Sequence, residues 1–207
     1  MLKVKVCGLT EPANIEGITG LSPDFMGFIF YPGSKRFIGP QPDSLFVAKP
    51  EAILWTGVFV DETLSRVISS IVNYSLDAVQ LHGTENPGFC NTLKKTGKII
   101  VKAVEVNDSL NFRSLIPFLE CCDYFLFDAG TGGKGGSGQK FNWARLNDYD
   151  LGKPFFLGGG IGPGDATAIK GISHPDLFAV DINSRFEISP GIKDVEKVKN
   201  FISEIKT

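Results

Sequence analysis

The sequence predicts an α/β fold, a single (β/α)8 TIM barrel over residues 1–207. Apolar runs of strand length alternate with amphipathic stretches along the whole chain, and eight such pairs fit into it. No linker-like stretch divides the chain. That disfavours the other architecture built from βα units, a doubly wound open sheet.

The first strand, 3–7, alternates Val4 and Val6 with Lys3, Lys5 and Cys7, the period of a strand. Two lysines and a thiol on one face do not suit an ordinary apolar core. Gly8 ends this strand, and Thr10-Glu11-Pro12 opens a helix over 11–19. A strand at 25–30 follows, then a weak helix at 43–48 crowded by Pro40, Pro42 and Pro50. Further strands fall at 52–60, 77–81, 98–104, 123–128, 154–158 and 177–182. The helices between and after them fall at 62–73, 86–95, 108–120, 142–148, 164–170 and 194–205. No internal repeat stands out.

Bulk properties exclude several classes. Hydrophobic residues make up 43%, enough for a substantial core, and a net charge of -2 gives no electrostatic case for a nucleic-acid partner. No signal peptide is read, and no apolar run approaches the ~18 residues of a membrane span. The cysteines are Cys7, Cys90, Cys121 and Cys122, without C-x-x-C pairing and with only two histidines. A metal site is therefore not expected, and a reduced cytoplasmic protein is.

Chemistry in barrels sits at the C-terminal ends of the strands. Cys7 lies there and reads either as a small buried hydrophobe or as a functional thiol. Lys5 points to the same side, and its ammonium favours a thiolate able to act as base or nucleophile. Asp128 closes the apolar strand Tyr124-Phe125-Leu126-Phe127, as a turn residue or a functional carboxylate. The glycine-rich stretch after it could fold over a ligand or be a plain flexible loop. Its G-x-G-x-x-G match, Gly130 to Gly135, is discounted because further glycines stand where a helix should open. Gly158-Gly159-Gly160-Ile161-Gly162 and Asp181-Ile182-Asn183-Ser184-Arg185 end the last two strands, either as two tight turns or as the phosphate site that barrels commonly form there, which their joint placement favours. Arg36, after the second strand, is a solvated charge or a clamp for a substrate carboxylate. Gln80 and His82 share one strand face and suit either ligand contact or a structural pair. His174, before Pro175, reads as a surface turn residue.

In register, these pieces resemble the phosphoribosylanthranilate isomerase family. The resemblance runs through Lys5-Val6-Cys7-Gly8-Leu9-Thr10, Gly27-Phe28-Ile29-Phe30-Tyr31-Pro32 with Ser34 and Arg36, and Gly57-Val58-Phe59-Val60-Asp61. It continues in Val79-Gln80-Leu81-His82-Gly83, Gly135-Gly136-Ser137-Gly138, Phe141-Asn142-Trp143 and Gly158-Gly159-Gly160. It ends in Val180-Asp181-Ile182 and Ser189-Pro190-Gly191-Ile192-Lys193-Asp194.

The resemblance implies an Amadori rearrangement of N-(5-phosphoribosyl)anthranilate, without metal or redox cofactor. It implies Cys7 as general base, Asp128 as general acid and Arg36 on the anthranilate carboxylate. Lys5, Gln80, His82 and Asp181 would bind substrate, and Gly136, Gly159, Gly160, Asn183 and Ser184 would cradle phosphate. The family's barrels are monomers or homodimers. This chain departs from it in having Asn183-Ser184-Arg185 for Ser-Ser-Gly, extra Gly and Lys residues in the sixth loop, and Asn142 for an acid before Trp143. A related histidine-pathway isomerase would carry aspartate where Cys7 stands. A non-catalytic barrel would have no use for Cys7, Asp128 and Arg36 together.

Overall fold

The computed structural model describes residues 1–39, 49–129 and 140–207. The helix expected at 43–48, the glycine-rich stretch after Ala129 and Gly136 within it lie outside the described residues.

Eight parallel strands close into a barrel in chain order. They are β1 Lys3–Cys7, β2 Phe25–Ile29, β3 Leu54–Phe59, β4 Ala78–Leu81, β5 Ile99–Val106, β6 Tyr124–Ala129, β7 Phe155–Leu157 and β8 Leu177–Ile182. Closure comes from β1 pairing with β8, Lys5 beside Asp181. That pairing rules out the open sheet.

The strands' outer faces, such as Val4, Val6, Phe127 and Val180, join one large apolar cluster with the surrounding helices. A smaller cluster of Phe25, Val101, Ala103, Leu126, Phe156 and Ala179 packs separately. Two residues further along the same faces, Phe25 gives way to Gly27, Leu126 to Asp128 and Ala179 to Asp181. The interior thus changes from apolar to polar toward the C-terminal ends.

The helices are α1 Pro12–Thr19, α2 Leu64–Asn73, α3 Pro87–Lys94, α4 Ala166–Lys170 and α5 Val195–Lys206. In α5 the buried residues Val198, Phe201, Ile202 and Ile205 follow helical spacing, and the Asp194 side chain caps the start by accepting from Lys197 N. Two expected α-helices are 3₁₀ segments instead. Phe112–Phe118 contains Pro117, which lacks a donor and whose ring opposes an α turn. Trp143–Asp148 is a six-residue span between its cap Asn142 and the extended Tyr149. A short antiparallel hairpin, β9 Glu187–Ser189 with β10 Ile192–Lys193, was not expected, since strands this short show no periodicity.

A repeat does appear at the N-terminal end of the barrel. Aspartates precede β2, β4 and β6, and each side chain accepts the backbone N–H of the preceding odd strand. The bonds are Val4 N to Asp24 Oδ2 at 2.9 Å, Trp55 N to Asp77 Oδ2 at 2.7 Å, and Ile100 N to Asp123 Oδ2 at 2.8 Å. Lysines pair with all three: Lys3 and Lys206 with Asp24, Lys49 with Asp77, and Lys94 with Asp123. Asp176, before β8, departs from the pattern and is bound through its backbone to Phe155 N and to His174 Nδ1. His174 is therefore a partly buried structural residue rather than a free surface residue, its ring edge-on to Phe155 and tilted against Tyr149.

Candidate active site at the C-terminal ends of the strands

Cys7 ends β1 and is 3% exposed. Its neighbour across the ladder is Gly27 of β2. A Cβ added at Gly27 would lie 2.7 Å from Cys7 Sγ, so only glycine leaves room for the thiol. The next residue, Gly8, has φ +77, and a Cβ there would meet Arg36 Cδ and Asn183 Oδ1, each at 2.7 Å. The turn after β1 thereby lets residues from the second and eighth loops approach the thiol.

Lys5 is buried within the barrel and donates to Gln80 Oε1 at 2.7 Å and to Asp181 Oδ2 at 3.0 Å. An ammonium can only donate, so it fixes the Gln80 amide with its oxygen toward Lys5. The Gln80 nitrogen then donates to His82 Nδ1, 2.9 Å away. Nδ1 must accept, which assigns the ring proton to Nε2, facing Asp128 Oδ2 at 3.4 Å. One polar chain thus runs from the base of Cys7 across the barrel to Asp128. Asp181 keeps a second oxygen, Oδ1, buried and without a hydrogen-bond partner among the described residues.

Burial acts against the Lys5 ammonium, but the charges of Asp181 and Cys7 outweigh it and raise the Lys5 pKa. For Cys7 the balance reverses. Burial pushes the thiol up, and the pull of Lys5 does not overcome it. The expectation that Lys5 favours the thiolate is right in direction, yet desolvation wins.

Asp128 is shaped from the seventh loop. Gly159 has φ +79, and a Cβ there would lie 2.8 Å from Asp128 Oδ1. Gly160 is also left-handed at φ +63. The loops after β7 and β8 abut, with Gly162 against Arg185. In the eighth loop the Asn183 side chain accepts from Lys193 Nζ at 2.6 Å, its carbonyl accepts from Phe186 N at 3.1 Å, and Ser184 begins a 3₁₀ turn.

Arg36 is not a solvated charge. Its Nε donates to Glu187 Oε1 and its Nη2 to Glu187 Oε2, both at 2.7 Å. Lys193, fully buried, donates to the same carboxylate at 2.6 Å. Burial raises Glu187, but Arg36 and Lys193 outweigh it and hold the carboxylate below its usual range. Sequence reasoning missed Glu187 and Lys193. Their only signal was a lysine inside the resemblance stretch Ser189 to Asp194, to which no role was attached.

Among the described residues no cluster of His, Cys, Asp or Glu could hold a metal ion, and no helix is long and apolar enough to cross a membrane. A closed barrel that gathers buried titratable groups at the C-terminal ends of its strands defines a (β/α)8 enzyme. Residues 4–204 match the family model described as N-(5'phosphoribosyl)anthranilate (PRA) isomerase. A relative from Parabacteroides distasonis named N-(5'-phosphoribosyl)anthranilate isomerase is 42% identical over 204 residues, covering 98% of this chain and 92% of its own. The phosphoribosyl anthranilate isomerase of Thermotoga maritima superposes with a TM-score of 0.85 at 31% identity, covering 100% of this chain and 99% of its own. A structure of such an isomerase in complex with reduced 1-(o-carboxyphenylamino)-1-deoxyribulose 5-phosphate superposes at 0.82 with 29% identity, covering 100% and 99% of the two chains. The chain belongs to the N-(5'-phosphoribosyl)anthranilate isomerase family, isomerases of tryptophan biosynthesis.

Proposed function

We propose that this chain converts N-(5-phosphoribosyl)anthranilate into its 1-amino-1-deoxyketose by an Amadori rearrangement, with Asp128 as general acid and Cys7 as general base. The observation that carries this reading is the polar chain Lys5–Gln80–His82–Asp128, which spans the barrel mouth with Cys7 beside Lys5.

Asp128 gives its proton to the ribose ring oxygen, the C1'–O bond breaks, and the anthranilate nitrogen lone pair forms the C1'=N bond. The Cys7 thiolate takes the proton from C2', and the C–H electrons form C1'=C2' while the nitrogen recovers its lone pair. The enol then loses its hydroxyl proton and gains one at C1', giving the ketone. Nothing is oxidised or reduced overall, so the chemistry calls for no redox cofactor.

The neighbours fit supporting roles. Lys5 stabilises the charge on a Cys7 thiolate. The open Oδ1 of Asp181 is an acceptor for a sugar hydroxyl. Arg36 offers donors to the anthranilate carboxylate, and the backbone N–H groups near Gly159, Gly160, Asn183 and Ser184 suit phosphate. Gly136 belongs to this phosphate set by resemblance.

The test is turnover of N-(5-phosphoribosyl)anthranilate by wild type beside Cys7→Ala and Asp128→Asn. Each substitution should lower kcat by about 10²–10⁴-fold. Wild-type inactivity overturns the substrate, and near-normal kcat in a variant overturns that residue's role.

A further inference from the structure

Arg36 and Lys193 are two cations sharing one carboxylate. Glu187 Oε1 accepts from Arg36 Nε at 2.7 Å, Lys193 Nζ at 2.6 Å and Gly191 N at 3.1 Å, while Oε2 accepts from Arg36 Nη2 at 2.7 Å. The Glu187 side chain is 5% exposed. Its anchor is rigid. Lys193 also donates to Asn183 Oδ1 at the end of β8, and both backbone polar groups of Lys193 are held at 2.8 Å by the Asn14 side chain of α1. Glu187 is therefore tied to α1 and to the eighth strand through one buried lysine. Four donors hold the carboxylate in one place.

Guanidinium geometry gives this arrangement a consequence. Glu187 occupies the Nε/Nη2 edge of Arg36. The remaining edge, Nη1 with the outer hydrogen of Nη2, can take a second carboxylate in the same plane. The three groups carry one positive charge in excess, which a second carboxylate balances. Arg36 Cδ packs where Gly8 lacks a Cβ, so the stem of Arg36 runs beside the residue that follows Cys7.

We propose that Glu187, braced by Lys193, is a positioning residue that fixes the plane of Arg36 and so aims its second edge at the substrate carboxylate. Glu187 does not compete with the substrate for Arg36; the two carboxylates use different edges. The proposal rests on the reading of Arg36 as the carboxylate clamp.

The test compares the carboxylated substrate with an analogue in which aniline replaces anthranilate. Glu187→Gln keeps the side chain's shape and removes its charge. It should raise KM for the carboxylated substrate about tenfold, leave kcat within about threefold, and leave the aniline analogue unaffected. Glu187→Asp keeps the charge pairing but withdraws the fork by one methylene. It should shift KM in the same sense by less, and it answers the question if the Gln variant does not fold. An unchanged or lowered KM for the carboxylated substrate overturns the proposal, the lowered value marking Glu187 as a competitor. Equal shifts on both substrates also overturn it, marking a structural role only. Arg36→Ala separates the two layers: a wild-type KM for the carboxylated substrate in that variant overturns the clamp reading itself.

Discussion

The two ends of the barrel use the same residue types to opposite effect. At the N-terminal end, Asp24, Asp77 and Asp123 each hold a strand amide and a lysine. At the C-terminal end, Asp181 has a buried oxygen without a partner among the described residues, and Asp128 has His82 no nearer than 3.4 Å. A satisfied carboxylate stabilises the strands it joins. A buried one with an open oxygen costs stability and keeps an acceptor for a ligand. Local geometry is tuned accordingly. Gly27 and Gly159 make room for the two titratable groups, and neither supplies packing of its own.

Substitutions at the two ends should therefore separate activity from stability. The largest effect is expected from Cys7→Ala or Asp128→Asn, a kcat loss of about 10²–10⁴-fold with little change in Tm. Gly27→Ala should displace the Cys7 thiol and reduce kcat by about 10²-fold, measured as turnover per folded protein. A Gly27→Ala enzyme with full activity breaks the idea that this glycine is kept for the thiol.

At the other end, Asp123→Ala strands the Ile100 N–H and should destabilise by about 1–3 kcal/mol in denaturant unfolding while kcat stays normal. A large activity loss there, without unfolding, would undo the division between the ends.

Two pH profiles extend the comparison. Burial raises the Cys7 thiol, so kcat/KM should climb as pH rises through its pKa, on the alkaline side of an ordinary cysteine. A kcat/KM that stays flat through the alkaline range would show that no thiol of raised pKa acts as the base.

The smallest effect concerns Asp24. Burial raises it, but the Lys3 hydrogen bond, the Val4 amide and Lys206 together lower it. Its folded pKa lies below the unfolded value, so its stabilisation is present above about pH 4 and is lost as pH falls through the folded pKa. The Tm of wild type should thus converge on that of Asp24→Asn at low pH; parallel curves would show that the pairing contributes nothing.

Much of the fold was legible because strand and helix periods are local. All eight strands fall where alternation and apolar runs place them. The errors fall where local pattern is weak: a 3₁₀ segment that contains Pro117, and a hairpin with strands too short to carry a period. The aspartates before the even strands were visible as letters, but their meaning needs the neighbouring strand's amide. Cys7, Asp128, Gln80 and His82 were legible because strand ends and shared faces follow from counting by two.

By itself, the sequence determined the order of elements and which titratable groups stand at strand ends. Only tertiary structure decided their partners. Lys5 meets Asp181 across 176 residues, and Arg36 meets Glu187 across 151. It also decided the sign of the Cys7 shift, since desolvation depends on everything packed around the thiol and no window of sequence contains it.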